Sequence, residues 1–201
     1  MGNVESGNSS EEDDDTIANP DRMKLKRSQI RVTRQLWENA KRRGPDEPGR
    51  SILRSIITKA PETIELFDFA KDQTSFLTSL AFTSHAKRFT STLDFIVENL
   101  HDEPKLRAHL RKLGQGHVKR RDIGFSPEMW NVFAESMIDK TMEWGSRRDR
   151  NSMTQEAWSK IVIFITDQMK EGYYTELRRQ RASVGEPLTP STEQAPIKST
   201  S

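Results

Sequence analysis

The 201-residue chain has no cysteine. That removes disulfides, thiolate metal sites, thiolate-bound iron and S-palmitoylation together, and it leaves histidine as the soft metal ligand. Long apolar runs are also missing. No stretch approaches the roughly eighteen consecutive apolar residues of a membrane span, and the N-terminus lacks the basic and apolar regions of a secretory signal. The expected location is therefore the cytoplasm. There is no Ser-His-Asp constellation, no zinc-like spacing and no Gly-rich phosphate loop, so no enzyme is expected.

The apolar content, 33%, is low for a chain of one-domain length, and the deficit sits at the ends. Residues 1–21 carry seven acids and no base, and residues 183–201 are mostly Ser, Thr, Pro, Gly and Gln. Both ends read as disordered tails around a single domain over residues 22–182. Net charge is close to balanced, 32 bases against 30 acids, but its sign changes abruptly along the chain. Residues 22–43 hold nine bases against Glu38 alone. A helix so basic could lie on lipid head groups, or could present an ordinary solvated face, since Ile30, Leu36, Trp37 and Ala40 give it a core-facing side. No nucleic-acid partner is expected. The opening Met-Gly-Asn-Val-Glu-Ser fits the myristoylation pattern with Gly2 as acyl acceptor. One acyl chain attaches only marginally, and the basic segment would supply the second signal for a peripheral position at the cytoplasmic face of the plasma membrane.

Between the tails the apolar periodicity is helical throughout and no strand pattern competes with it. Helices are expected over about Lys24 to Arg43, from Pro48 to Ala60, from Thr74 to Leu100, from Pro104 to Lys119, from Pro127 to Gly145 and from Met153 onward. Pro61 restarts a short turn through Ile64, Leu66 and Phe67. Gly114 and Gly116 are expected to loosen the last turn of their helix. Two of the four histidines stand on apolar stripes. His117 continues the stripe of Leu106, Leu110 and Leu113, and His85 lies at the edge of the stripe formed by Phe82, Phe89, Leu93, Ile96 and Leu100. Inward-facing imidazoles on two helices suit gripping a flat metal cofactor from both faces. Spacing alone leaves open the plainer reading of satisfied core histidines.

Several anchors in one register resemble the globin family over about Lys24 to Arg181. They are Trp37 in the first helix, Pro61 at a turn, Phe67 just after it, the segment Leu113-Gly114-Gln115-Gly116-His117, His85 thirty-two residues earlier, and Trp158 early in the last helix. The His85–His117 separation and the long charged N-terminal extension resemble the neuroglobin-like and nematode neuronal-type branches. The resemblance implies an all-α globin fold of seven to eight helices, three on three, around haem b. It makes His117 the proximal iron ligand and Phe67 the ring stacked on the haem, with Leu113 one turn before His117. His85 falls at the distal position, either as sixth ligand or as hydrogen-bond donor to a diatomic gas such as oxygen, nitric oxide or carbon monoxide. Phe89, one turn beyond His85, would crowd such a gas, and Leu53 in the second helix offers no hydroxyl to hold it. Both are also good core residues. His101, His109, Arg88, Lys119, Arg120 and Arg121 are candidates for a haem propionate.

Three functions remain open from the residues. A bis-histidyl haem protein would act in electron transfer or in redox and oxygen sensing with an unidentified partner. A reversible oxygen carrier would keep its sixth position open. A helical interaction module would carry no cofactor.

Overall fold

The computed structural model describes residues 23–67 and 76–183. Gly2 and the expected tails lie outside these residues, apart from Ser183, the last residue of the final helix. Among the described residues the chain is all helical, with α1 (Arg27–Lys41), α2 (Glu47–Lys59), α3 (Leu80–Glu98), α4 (Glu103–His117), α5 (Met129–Glu143) and α6 (Ser152–Ser183). Three 3₁₀ segments, Pro61–Phe67, Phe76–Thr78 and Val118–Ile123, complete the set. The expected helix from Thr74 begins later, at Leu80. Ser79 caps it there, its hydroxyl accepting from the Phe82 amide at 3.1 Å, which satisfies one of the donors that a helix start leaves unpaired. Asp102 caps α4 in the same way, accepting from the Lys105 amide at 3.0 Å.

α2, α5 and α6 pack in sequence, and α1, α3 and α4 lie across them. This is the expected three-on-three arrangement. Leu36, Trp37, Ile52, Leu53, Phe82, Leu106, Leu110, Trp158 and Ile161 are fully buried between the layers. Trp37 packs edge-on to Trp144 at 5.4 Å, and Trp144 edge-on to Trp158 at 5.6 Å. The Trp37 indole N–H is not wasted in this apolar cluster. It donates to Asp94 Oδ1 at 2.7 Å, which also accepts from Lys41 at 2.9 Å, so α1 is tied to α3.

Two crossings position the histidine-bearing helices, and both need glycine because backbone meets backbone. A Cβ on Gly49 would stand 2.0 Å from the carbonyl oxygen of Ala86, the residue after His85. Here the Gly49 amide donates to Thr90 Oγ1 at 3.0 Å. A Cβ on Gly114 would stand 2.0 Å from the Met169 carbonyl oxygen, and one on Gly172 would stand 2.1 Å from that of Arg111. α4 and α6 therefore touch reciprocally one turn before His117. Gly114 does not loosen the helix as its residue type suggests. The α-helix runs through it to His117 and then tightens into Val118–Ile123, closed by Gly124 at φ +96°.

Gly114→Ala and Gly116→Ala are expected to shift stability in opposite directions. At Gly114 the new methyl forces two backbones apart, an overpacking cost of about 1–3 kcal/mol that exceeds the ~1 kcal/mol helix-propensity gain. At Gly116 nothing stands within 4 Å of the added Cβ, so only the propensity gain remains. Urea denaturation of the haem-free protein measures both.

Candidate functional site

His85 on α3 and His117 on α4 are each linked through aromatic rings to the same helix, α5. His85, in the second turn of α3, is half-buried with its ring edge-on to Phe67 at 4.6 Å and tilted against Phe89 at 5.3 Å. Phe89 in turn meets Phe133 of α5 at 5.8 Å. His117 is the last residue of α4, its ring against Phe125 at 5.1 Å and Trp130 at 5.4 Å. Leu113 lies half-buried one turn before it.

The protonation states follow from these surroundings. Burial pushes the His85 imidazole down from 6.5 to about 4, with the positive charges of Arg88 and Arg120 acting in the same direction. Ring contacts bring the two histidines to one side of α5, since Trp130 meets His117 and Phe133, three residues on, meets the Phe89 ring that lies against His85. Burial also lowers the His117 pKa, more than its bond to the Leu113 carbonyl raises it. Its Nδ1 lies 2.8 Å from that carbonyl oxygen. A carbonyl only accepts, so Nδ1 carries the proton and Nε2 keeps its lone pair. Both rings are thus neutral at pH 7.

For the haem-free protein the sign follows directly. The unfolded chain takes up the His85 proton near 6.5 and the folded chain only near 4, so the unfolded state binds more protons in between. Stability is fully present above about pH 6.5 and falls as pH drops toward 4, by about 3 kcal/mol from this residue. Urea midpoints measured across that range are expected to show the slope, and His85→Leu is expected to reduce it.

The other residues singled out from the sequence divide clearly. Phe67 and Phe89 stand against His85, while Leu53 is fully buried within the core from α2. Arg88 and Arg120 lie close enough for their charges to reach His85. Arg121 instead sits 3.8 Å from Asp122, and the charge of Lys119 acts on Glu176. His101 is exposed in a groove with Arg27, Ile30, Arg31 and Arg34. His109 stacks on Phe95 at 4.2 Å. Phe95 is ten residues beyond His85, about 15 Å along α3, so His109 is no partner to the histidine pair.

Two residues beside His117 escape a reading by periodicity. Phe125 follows the left-handed Gly124 outside any long helix, where no stripe exists to mark it. Trp130 reads as ordinary core of α5, yet its ring faces His117 and continues to Tyr173 at 5.9 Å.

Two neutral imidazoles on separate helices, each flanked by aromatic rings, suit a planar metal cofactor ligated from its faces. The donor set fits such a group: two nitrogen lone pairs, aromatic walls from Phe67, Phe89 and Phe133, and the cations Arg88 and Arg120 for its acidic edge. The family profile named Globin matches residues 50–169. Globin-related protein glb-13 of Caenorhabditis elegans is 31% identical over 153 residues, covering 76% of this chain and 54% of that protein. The chain thus spans about half the length of this relative. Two solved structures share the fold. A hexacoordinated heme protein from an anhydrobiotic tardigrade superposes with TM-score 0.66 at 15% identity, covering 76% of this chain and 97% of its own. The neuroglobin of the marine acoel Symsagittifera roscoffensis gives TM-score 0.62 at 19% identity, covering 74% and 99%. The chain belongs to the globin family, and its cofactor is haem b.

Proposed function

We propose that this globin is a bis-histidyl haem protein, with His117 and His85 as iron ligands on opposite faces, and that it works by change of iron oxidation state in electron transfer or in redox and oxygen sensing. The observation that carries the reading is that two half-buried imidazoles from α3 and α4 meet one face of α5, His117 directly at Trp130 and His85 through Phe89 at Phe133, three residues further on. His117 binds through Nε2 and is oriented by its bond to Leu113. Such a bond to the outer nitrogen makes an imidazole a better donor. Phe67 and Phe89 hold the His85 ring from two sides, exclude water and crowd a gas molecule. The haem supplies a reversible one-electron couple. The tardigrade neighbour, described as hexacoordinated, supports the same arrangement by likeness of fold.

A route for electrons supports the redox reading further. From His117 the rings continue through Trp130 and Tyr173 to Tyr174, 5.6 Å beyond Tyr173 and 40% exposed. Diatomic gases remain ligands of the family, and here they compete with His85 for one position. The test is the optical spectrum of the ferrous protein without added gas. Low-spin six-coordinate bands are expected. A high-spin five-coordinate spectrum would overturn the bis-histidyl assignment in favour of an oxygen carrier, and failure to take up hemin would leave a cofactor-free interaction module.

A further inference from the structure

Far from the histidine pair, the first half of α1 carries an open groove of about 460 Å³ lined by Arg27, Ile30, Arg31, Arg34 and His101. Arg27, Arg31 and Arg34 recur at positions i, i+4 and i+7, which places them on one face of the helix. All three are exposed. Arg34 donates to the carbonyl oxygens of Val97 and Glu98 at 3.4 and 3.2 Å, which fixes its position but does not neutralise it. Arg27 and Arg31 make no ion pair among the described residues.

Two carboxylates that follow His101 in the chain are committed elsewhere. Glu103 pairs with Arg107 at 2.6 Å and accepts from the Met23 amide, and Asp102 caps α4. The groove thus holds three guanidiniums over Ile30, none of them in an ion pair among the described residues.

We propose that this groove is the docking site of the chain's own acidic segment, residues 11–15, which read Glu-Glu-Asp-Asp-Asp. Charge complementarity is direct, five carboxylates against three guanidiniums, and guanidinium–carboxylate pairing is the strongest form of such contact. Length fits as well. From Arg27 to Arg34 the helix rises about 10 Å, and five extended residues span about 17 Å. Only twelve positions separate Asp15 from Arg27, a reach of about 40 Å. So short a tether keeps the segment at about millimolar effective concentration. Docked, it covers the basic face of α1 and removes it from any anionic lipid surface. The proposal is independent of the haem reading.

The test is arginine-selective modification of the full-length protein with phenylglyoxal, read by mass spectrometry at Arg27 and Arg31. Exposed Arg147 and Arg148, which do not line the groove, serve as the internal standard. In low salt, Arg27 and Arg31 are expected to react about fivefold more slowly in the natural chain than in the variant E11Q/E12Q/D13N/D14N/D15N, three exposed ion pairs being worth little more than this. Raising ionic strength to about 1 M shrinks the Debye length to about 3 Å and is expected to erase the difference. Circular dichroism of the variant verifies that its helices are intact. Equal rates in the natural chain and the variant overturn the proposal. Protection that appears only when phosphatidylserine vesicles are added overturns it too, and assigns the groove to a lipid surface instead.

Discussion

Replacing His117 by alanine is expected to leave a helical protein that no longer retains haem. The substitution removes the one imidazole whose outer nitrogen is committed to a backbone carbonyl, at 2.8 Å from Leu113, and whose inner nitrogen keeps a lone pair. Loss of an outer partner to a metal-bound histidine already costs roughly 10–100-fold in affinity. Loss of the ligand itself is expected to exceed this. The fold tolerates the change because α4 is held at Gly114 against α6, and Leu106 and Leu110 stay buried. Haem transfer to a scavenger apoprotein, followed in the Soret band, measures the loss, and far-ultraviolet circular dichroism checks the helices. Retention of the parent spectrum with unchanged transfer rate would reject His117 as the proximal ligand. Recovery of the spectrum on adding free imidazole would separate lost ligation from lost packing.

His85→Leu is expected to have the second largest effect, in the opposite sense. The haem stays, but the ferrous spectrum changes from six- to five-coordinate, and gas binding no longer waits for a protein ligand to leave. If His85 is away from the iron in about 1% of molecules, the apparent gas affinity rises about a hundredfold once it is removed. Leucine keeps comparable volume beside Phe67 and Phe89, so the aromatic walls stay in place. Flash photolysis with carbon monoxide reads the change directly. A variant with the ferrous bands and gas kinetics of the natural chain would show that His85 does not ligate iron.

Much of the site is legible in the sequence because it lies on helices. Leu106, Leu110 and Leu113 mark the inward face of α4, and the same period carries that face to His117. Phe67 is readable through Pro61, whose missing amide and fixed φ restart the chain as a short turn. Phe125 is not readable this way, since it follows a left-handed glycine in a turn where no period operates. Nor is the role of Gly114. By residue type it weakens a helix, and only the approach of the Met169 backbone from 55 positions away makes it necessary. The start of α3 at Leu80 rather than Thr74 is likewise set by the Ser79 cap, a local geometry that periodicity does not report.

By itself, then, the order of residues determined that this protein is a helical globin carrying two inward imidazoles and a basic first helix, because side-chain period and charge are local properties of the chain. Only the tertiary structure decided that aromatic rings link both imidazoles to α5, that burial keeps them neutral, and that Phe125 and Trp130 lie against the His117 ring. Desolvation and ring contacts arise between segments distant along the polypeptide, and so depend on how the helices cross rather than on what any one of them contains.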